Sequence, residues 1–341
     1  MSRVPFMLAP AVLLLASLSQ TEPALAATCT ASPTPLALGT VTGSGAVDGS
    51  ATITVTCNTT LSLSLLGVAR VRTCLNIAAG VNGSGQTNPR LMTNSFGDTL
   101  QFQIYRDAAR TQIWGDTTTP ATPTPLGQDL EYQVPVLGGS SGNFTVTMYG
   151  RVPAQSGLAA GNYTNPFTGG HTRLDYRYAE ALLILNPPYP ASCTSGGNGG
   201  GSITFPFTAS ATVPDNCAIS AADDLDFGSV AGIINANQDQ TSGITFTCTG
   251  RTPWNIALSN GQNASGNTRR MRLGASSNYV TYELYRDPAR SQRWGTTIGS
   301  DTVAGTGTGT TQSLTVYGRV PATQTIPAGS YSDVVTITVT Y

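Results

Sequence analysis

The sequence predicts an all-β protein built as two tandem immunoglobulin-like β-sandwich domains. Three observations carry this. Residues 51–57, 100–105, 144–149 and 334–341 alternate apolar and polar side chains with a period of two. Clusters of Gly, Pro, Asn and Asp separate such runs, in a chain of 38 glycines and 21 prolines, and no stretch offers a helical stripe. The third is a long internal repeat.

Composition excludes some function classes. Only 10% of the 341 residues are charged, against about 25% in an ordinary soluble domain. The 17 basic residues are all arginine, and 18 acids leave a net charge of -1. Without a clustered basic excess the chain does not read as a nucleic-acid binder.

Met1-Ser2-Arg3, an apolar run over 6–18 and Ala24-Leu25-Ala26 have the order of a secretory signal peptide, assigned to 1–26. The apolar run is short of the roughly 20 residues a membrane span needs. The chain is therefore expected to pass through the periplasm, where cysteines oxidise.

The repeat sets the domains. Tyr105-Arg106-Asp107 recurs as Tyr285-Arg286-Asp287, and Trp114-Gly115 as Trp294-Gly295, at an offset of 180. Tyr149-Gly150-Arg151 recurs as Tyr317-Gly318-Arg319, and Tyr163 as Tyr331, at 168. Cys57 corresponds to Cys248 at 191, and Asn76-Ile77-Ala78 fits Asn255-Ile256-Ala257 at 179. An N-terminal domain over 27–195, a linker over 196–215 and a C-terminal domain over 216–341 follow. The falling offsets place two twelve-residue gains in the first copy, one between Cys57 and Asn76 and one between Trp114 and Tyr149. Both are expected to be loops.

Six cysteines admit fifteen pairings. The repeat pairs Cys29 with Cys57 and Cys217 with Cys248, leaving Cys74 with Cys193. With no C-x-x-C and a single histidine, neither a metal site nor a cofactor is expected. His171, in a Gly-rich stretch, reads as a surface-loop residue rather than a catalytic base, so the chain is not read as an enzyme. The repeated Tyr-Arg-Asp reads as a shared turn or ion pair, and Trp114 and Trp294 as core anchors.

Cys217 followed by Leu225-Asp226-Phe227-Gly228, Tyr285-Arg286-Asp287, the run 314–322, Pro327 to Tyr331, and the ending Val339-Thr340-Tyr341 resemble the spore coat protein U domain. The first domain resembles it in diverged form. Two such domains in one exported chain resemble the tip adhesins of archaic chaperone–usher pili. The resemblance implies pilin-type sandwiches that lack a last strand. It also implies partners: a periplasmic chaperone, an outer-membrane usher and an adjacent pilin that donates its N-terminal strand.

Residue patterns bear on this independently. A sandwich short of a strand is a template for association. The second domain reaches Tyr341 with no further strand to close it, so it is expected to accept one. Ahead of Cys217, Ile203, Phe205, Phe207, Ala209, Ala211 and Val213 fall on alternate positions. Residues 202–213 are therefore expected to fill the first domain's own groove, beside a last strand at 176–185, with glycines 196–201 as a flexible lead-in. Strict alternation favours this over an ordinary linker, although Pro206 removes one ladder hydrogen bond. No comparable segment precedes Cys29, so the chain is expected to accept a strand without giving one, and so to cap a polymer.

Enlarged loops of the first domain are expected at the pole away from the second, with the Cys74–Cys193 bridge joining two of them. They carry Leu61, Leu63, Leu65, Leu66 and Val68; Pro123, Pro125 and Leu126; and Pro187, Pro188 and Tyr189. Such apolar, weakly charged tips suit contact with an abiotic or host surface. The alternation over 61–68 fits an extra core strand equally well. The functional expectation is a non-catalytic pilus-tip subunit that mediates surface attachment and biofilm formation. The alternatives are a structural coat or matrix protein and a secreted glycan-binding module.

Overall fold

The structure, a computed structural model, describes residues 27–62, 67–135, 138–181 and 186–341. Among them there is no α-helix, only two single 3-10 turns, at Val81–Gly83 and Gly169–His171. The first domain contains β1 (Ala27–Pro33), β2 (Leu36–Thr40), β3 (Val47–Ser62), β4 (Gly67–Ile77), β5 (Arg90–Thr93) and β6 (Thr99–Tyr105). It continues with β7 (Leu126–Val134), β8 (Gly138–Val152), β9 (Gly161–Phe167), β10 (Thr172–Ala181), β11 (Gly199–Ile203) and β12 (Phe207–Val213). The second contains β13 (Cys217–Ala222), β14 (Gln238–Cys248), β15 (Pro253–Leu258), β16 (Arg269–Leu273) and β17 (Tyr279–Tyr285). It ends with β18 (Val303–Thr306), β19 (Thr311–Val320), β20 (Tyr331–Ser332) and β21 (Ile337–Thr340).

Each domain is a sandwich with its own apolar core. In the first, a sheet of order β1-β3-β8-β6-β5-β9-β12-β2 packs on one of order β11-β10-β4-β7. In the second, β13-β14-β19-β17-β16-β20 packs on β18-β15-β21. The second order is the first with β2, β11 and β12 missing.

The repeat is structural in detail. Trp114 and Trp294 are fully buried, and their Nε1–H groups donate to the Leu75 and Ile256 carbonyls at 2.8 Å. Leu75 therefore matches Ile256 and Ile77 matches Leu258, an offset of 181. The alignment of Asn76 with Asn255 is corrected by two residues, because local identity in an alternating strand is satisfied by any even slip. Tyr105 and Tyr285 end strands at a turn in which Asp107 and Asp287 accept from the backbone N–H of Thr111 and Ser291 and of Gln112 and Gln292. Asp48 sits between Arg151 and Arg110, as Asp239 sits between Arg319 and Arg290.

The first-copy gains are strands, not loops. β3, β4, β7 and β8 have 16, 11, 9 and 15 residues, against 11, 6, 4 and 10 in β14, β15, β18 and β19. Five residues per strand add about 17 Å of height. Pairing extends into the added height, with one register shift between Thr59 and Ser62: Ser62 pairs with Gly138, Gly67 with Val134 and Val68 with Ala181. The first domain is the same sandwich with an extra storey. With Leu75 matched to Ile256 the first gain is ten residues, not the expected twelve; and only pairing reports that the insertions lie side by side.

Candidate strand-acceptor site and distal pole

The two halves differ most at one slot. In the first domain, β12 lies between β9 and β2, antiparallel to the one and parallel to the other, with Phe207 opposite Phe167 and Val213 opposite Gly161. Phe205, Phe207, Ala209, Ala211 and Val213 are all buried, and the Phe207 ring stacks on that of Phe167 at 4.5 Å. Thr208, Ser210 and Thr212 point the other way and are more exposed. This is the burial that strict alternation produces on a strand.

The position of the segment differs from the expectation. β10 contains the described part of the expected last strand, residues 182–185 lying outside the described residues; it pairs with β11, where Leu174 meets Ile203, and is not a ladder neighbour of β12. Residues 199–213 thus serve both sheets, β11 edging one and β12 completing the other. The glycines are not a flexible lead-in either. Gly199 and Gly201 lie in β11 against the rings of Tyr178 and Tyr176, where a Cβ would come within 2.3 and 2.7 Å of the phenol oxygens. Absence of a side chain is what lets β11 approach. Pro206 falls between β11 and β12, so its missing N–H costs no ladder bond.

Among the described residues, no strand occupies the counterpart slot in the second domain. β20 has two residues where β9 has seven, and β21 has four where β10 has ten. Tyr163, Phe167, Leu174 and Tyr176 are buried, whereas their counterparts Tyr331, Val335 and Val339 are half-buried and Tyr341 is 54% exposed. Leu36 and Leu38, buried against Gly150, are matched by half-buried Leu225 and Phe227 against Gly318. Val334 and Ile233 are 57% and 59% exposed. The result is an apolar slot flanked by backbone without ladder partners, a shape and chemistry suited to an extended segment. At its rim, Tyr282 Oη donates to Asp333 Oδ2 at 2.8 Å, and burial with the neighbouring carboxylate pushes the phenol pKa upward.

The other candidate region is the far end of the extra storey. Ser62, Gly67, Val134, Gly138 and Ala181 gather there, while Val152, Gly161 and Val213 lie at the opposite pole, next to the second domain. Leu61 belongs to β3, and Leu63, Leu65 and Leu66 lie outside the described residues. Val68 belongs to β4 and is 8% exposed, so it is not a free contact residue. Leu126 starts β7 opposite Leu75, partly buried against the core, and Pro123 and Pro125 precede it; none of the three lies at the far pole. β7 then carries the chain from these residues up to that pole, which the proline content of 120–125 does not disclose.

Pro187, Pro188 and Tyr189 belong to a segment that descends the outer face of the shorter sheet. Arg70 Nη1 donates to the Pro187 carbonyl and Arg72 Nη1 to the Pro190 carbonyl, at 2.8 and 2.9 Å. The Tyr189 ring lies within 5.1 and 5.7 Å of the two guanidinium carbons. Arg70 and Arg72 also pair with Glu131 and Asp129 across the strand. Cys193 then joins Cys74 in mid-strand, opposite Asp175 and Gly127. This bridge pins the descending segment to the sheet instead of joining two loops at one pole. Cys29–Cys57 and Cys217–Cys248 each tie register partners of the first two long strands.

Inside the storey, Thr59 Oγ1 donates to Glu180 Oε1 at 2.9 Å and lies 2.8 Å from Tyr132 Oη, so the tyrosine donates to the threonine. Burial pushes the Glu180 pKa upward. His171 ends the second 3-10 turn at intermediate exposure. Among the described residues no His, Cys, Asp and Glu group has the makings of a metal site.

Sequence reasoning missed a buried arginine in each domain. Arg90 and Arg269 have no exposed surface. Their only sequence signal was an arginine two residues before a methionine, Met92 and Met271, repeated at 179.

Comparison with known proteins follows the same division. The family model described as the Spore Coat Protein U domain matches residues 15–169 and again 203–338. Protein U of Myxococcus xanthus is 41% identical over 81 residues, which cover 24% of this chain and 45% of that protein. The chain thus spans under half the length of this curated relative. Two solved structures are similar: the CsuC–CsuE chaperone–tip adhesion subunit pre-assembly complex from archaic chaperone–usher Csu pili of Acinetobacter baumannii, and the CupB6 tip adhesin of Pseudomonas aeruginosa. The first is 17% identical with a TM-score of 0.46, covering 92% of this chain and 100% of that one. The second is 13% identical with a TM-score of 0.36, covering 93% and 94%.

Proposed function

Because the chain belongs to the Spore Coat Protein U domain family, we propose that it is a non-catalytic tip subunit of a chaperone–usher pilus. In this reading the second domain accepts a strand from the next pilin and the first presents its far pole to a surface. One observation supports it: among the described residues, the same slot is filled by β12 in the first domain and lacks a strand in the second. A half-covered core flanked by unpaired backbone is unstable toward association. Before assembly it would be shielded by a periplasmic chaperone, and an outer-membrane usher would mediate the exchange. Fibre assembly, not chemistry, is the use to which such a slot is suited. The tall storey stands on the far side of the first domain from that slot's domain, where it would meet a surface and begin a biofilm.

The test is self-complementation. A short Gly/Ser linker and a copy of residues 202–213, appended after Tyr341, should enter the slot. The expected result is a raised melting transition for the second domain and a monomer that no longer needs a co-expressed chaperone. An unchanged transition would count against the acceptor role. Immunogold label along the shaft, instead of at fibre ends, would count against the tip position.

A further inference from the structure

The junction between the domains is gripped at the one place where β12 would begin to peel away. The last register pair of the β9–β12 ladder is Gly161 with Val213. Only Pro214, Asp215 and Asn216 then separate β12 from β13. Immediately before β9, the segment 157–160 is held by the second domain from two sides. Gly250 N–H donates to the Leu158 carbonyl at 2.7 Å, and Ala160 N–H donates to the Gly250 carbonyl at 2.8 Å. On the other side Gly309 abuts Gly157 so closely that a Cβ on Gly309 would come within 2.9 Å of the Gly157 backbone.

A side-chain clamp lies beside this. Arg251 donates to both carboxylate oxygens of Asp98, at 2.5 and 3.0 Å, and its guanidinium lies 4.6 Å from the centre of the Phe96 ring. Asp98 is held in turn by Asn94 Nδ2 at 2.8 Å. A bidentate Arg–carboxylate pair fixes orientation as well as distance. On the linker side, Asp215 Oδ1 accepts from Thr252 Oγ1, and the Asn216 carbonyl accepts from Thr249 N–H, both at 2.9 Å. A cleft of about 810 Å³ lies beside the junction, with Thr42, Gln155 and Asp215 among its lining residues.

We propose that this junction is a strand lock: the second domain holds the start of β9 and the end of β12 together, so that a load on the second domain is shared by segment 157–160 and does not unzip β12 from Val213 onward. The physical argument concerns where force enters. A strand pulled from one end fails sequentially, one ladder bond after another, unless its last pair is clamped. Here the clamp is formed by residues that sequence places far apart, 94–98, 157–160, 250–251 and 309. It goes beyond strand acceptance and does not require a pilus, because the lock exists within one chain.

Hydrogen exchange on the full mature chain tests it. In Arg251→Ala, and separately in Gly309→Val, the amides of 209–213 should exchange at least tenfold faster, while those of β6 and β17 keep their rates. Unchanged rates at 209–213 in both variants would overturn the lock. So would an increase there matched by equal increases in β6 and β17, since that reports global loss of stability. The readout is independent of strand acceptance at the second domain's slot, so failure of one reading leaves the other standing.

Discussion

Arg90 and Arg269 occupy the same buried position in the two domains, and each donates to the carbonyl of its domain's tryptophan, Trp114 or Trp294, at 2.7 Å. Each also reaches the strand carbonyl that pairs with the tryptophan turn, Ile77 or Leu258, at 2.6 and 2.9 Å. A third pair also matches, Arg90 Nε donating to the Ala78 carbonyl and Arg269 Nε to that of Ser259, at 2.8 and 2.9 Å; only the last partner differs. Arg90 donates to the neutral amide of Gln103, and Arg269 to the carboxylate of Glu283, which Arg293 shares. A guanidinium is suited to this because its fan of donors satisfies several fixed carbonyls at once. Burial lowers both arginine pKa values from the ordinary range.

Arg90→Met should therefore destabilise the first domain by about 1–3 kcal/mol for each carbonyl left without a donor, since those of Ile77, Ala78 and Trp114 lose a buried partner. Calorimetry of the two-domain chain should show one transition falling. Equal falls in both transitions would contradict the independence of the two cores.

Glu180 gives the extra storey a pH dependence. Its folded-state pKa is raised by burial above the ordinary 4.5, so between the two values the folded state binds more protons than the unfolded. The stabilisation is full below about pH 4.5 and is lost as pH rises through the folded value. Thermal melts of Glu180→Gln should lose this fall of the first domain's transition above pH 4.5. Persistence of the same pH profile would remove Glu180 as its source.

The Cys74–Cys193 bridge closes a sequence separation of 119 residues. Replacing both with Ser should lower the first domain's stability by about 2–5 kcal/mol and release the segment that bears Tyr189. Protease susceptibility over 186–198 should rise, and the second domain's transition should stay in place.

The proposed tip role predicts that attachment depends on residues 61–65. Changing Leu61, Leu63 and Leu65 to Ser should reduce retention on plastic while leaving fibre number and both melting transitions unchanged. Binding to an array of glycans that ignores these leucines would favour the glycan-binding alternative.

Much of the slot was legible in the chain itself. Alternation from Ile203 to Val213 marked a strand with one buried face, and the repeat marked which half lacked a covering segment. The strand's neighbours were not legible. Period two says which side chains face inward but not against which strand, and β9, not β10, proved to lie beside β12. The glycines of 199–201 show the same ambiguity: composition alone reads as flexibility, and only the Tyr176 and Tyr178 rings reveal close approach.

The sequence by itself determined the β class, the duplication, the pairing of the cysteines and the inward face of residues 203–213. These are local or repeat properties, carried by periodicity and by offsets. Tertiary structure decided that two separate insertions form one added storey, that Cys193 reaches a mid-strand cysteine, and that Asp98 and Gly157 meet the second domain. Those relations depend on register and on contacts between residues far apart along the chain. No periodic pattern encodes them, because many pairings satisfy the same alternation and only packing of the whole core selects one.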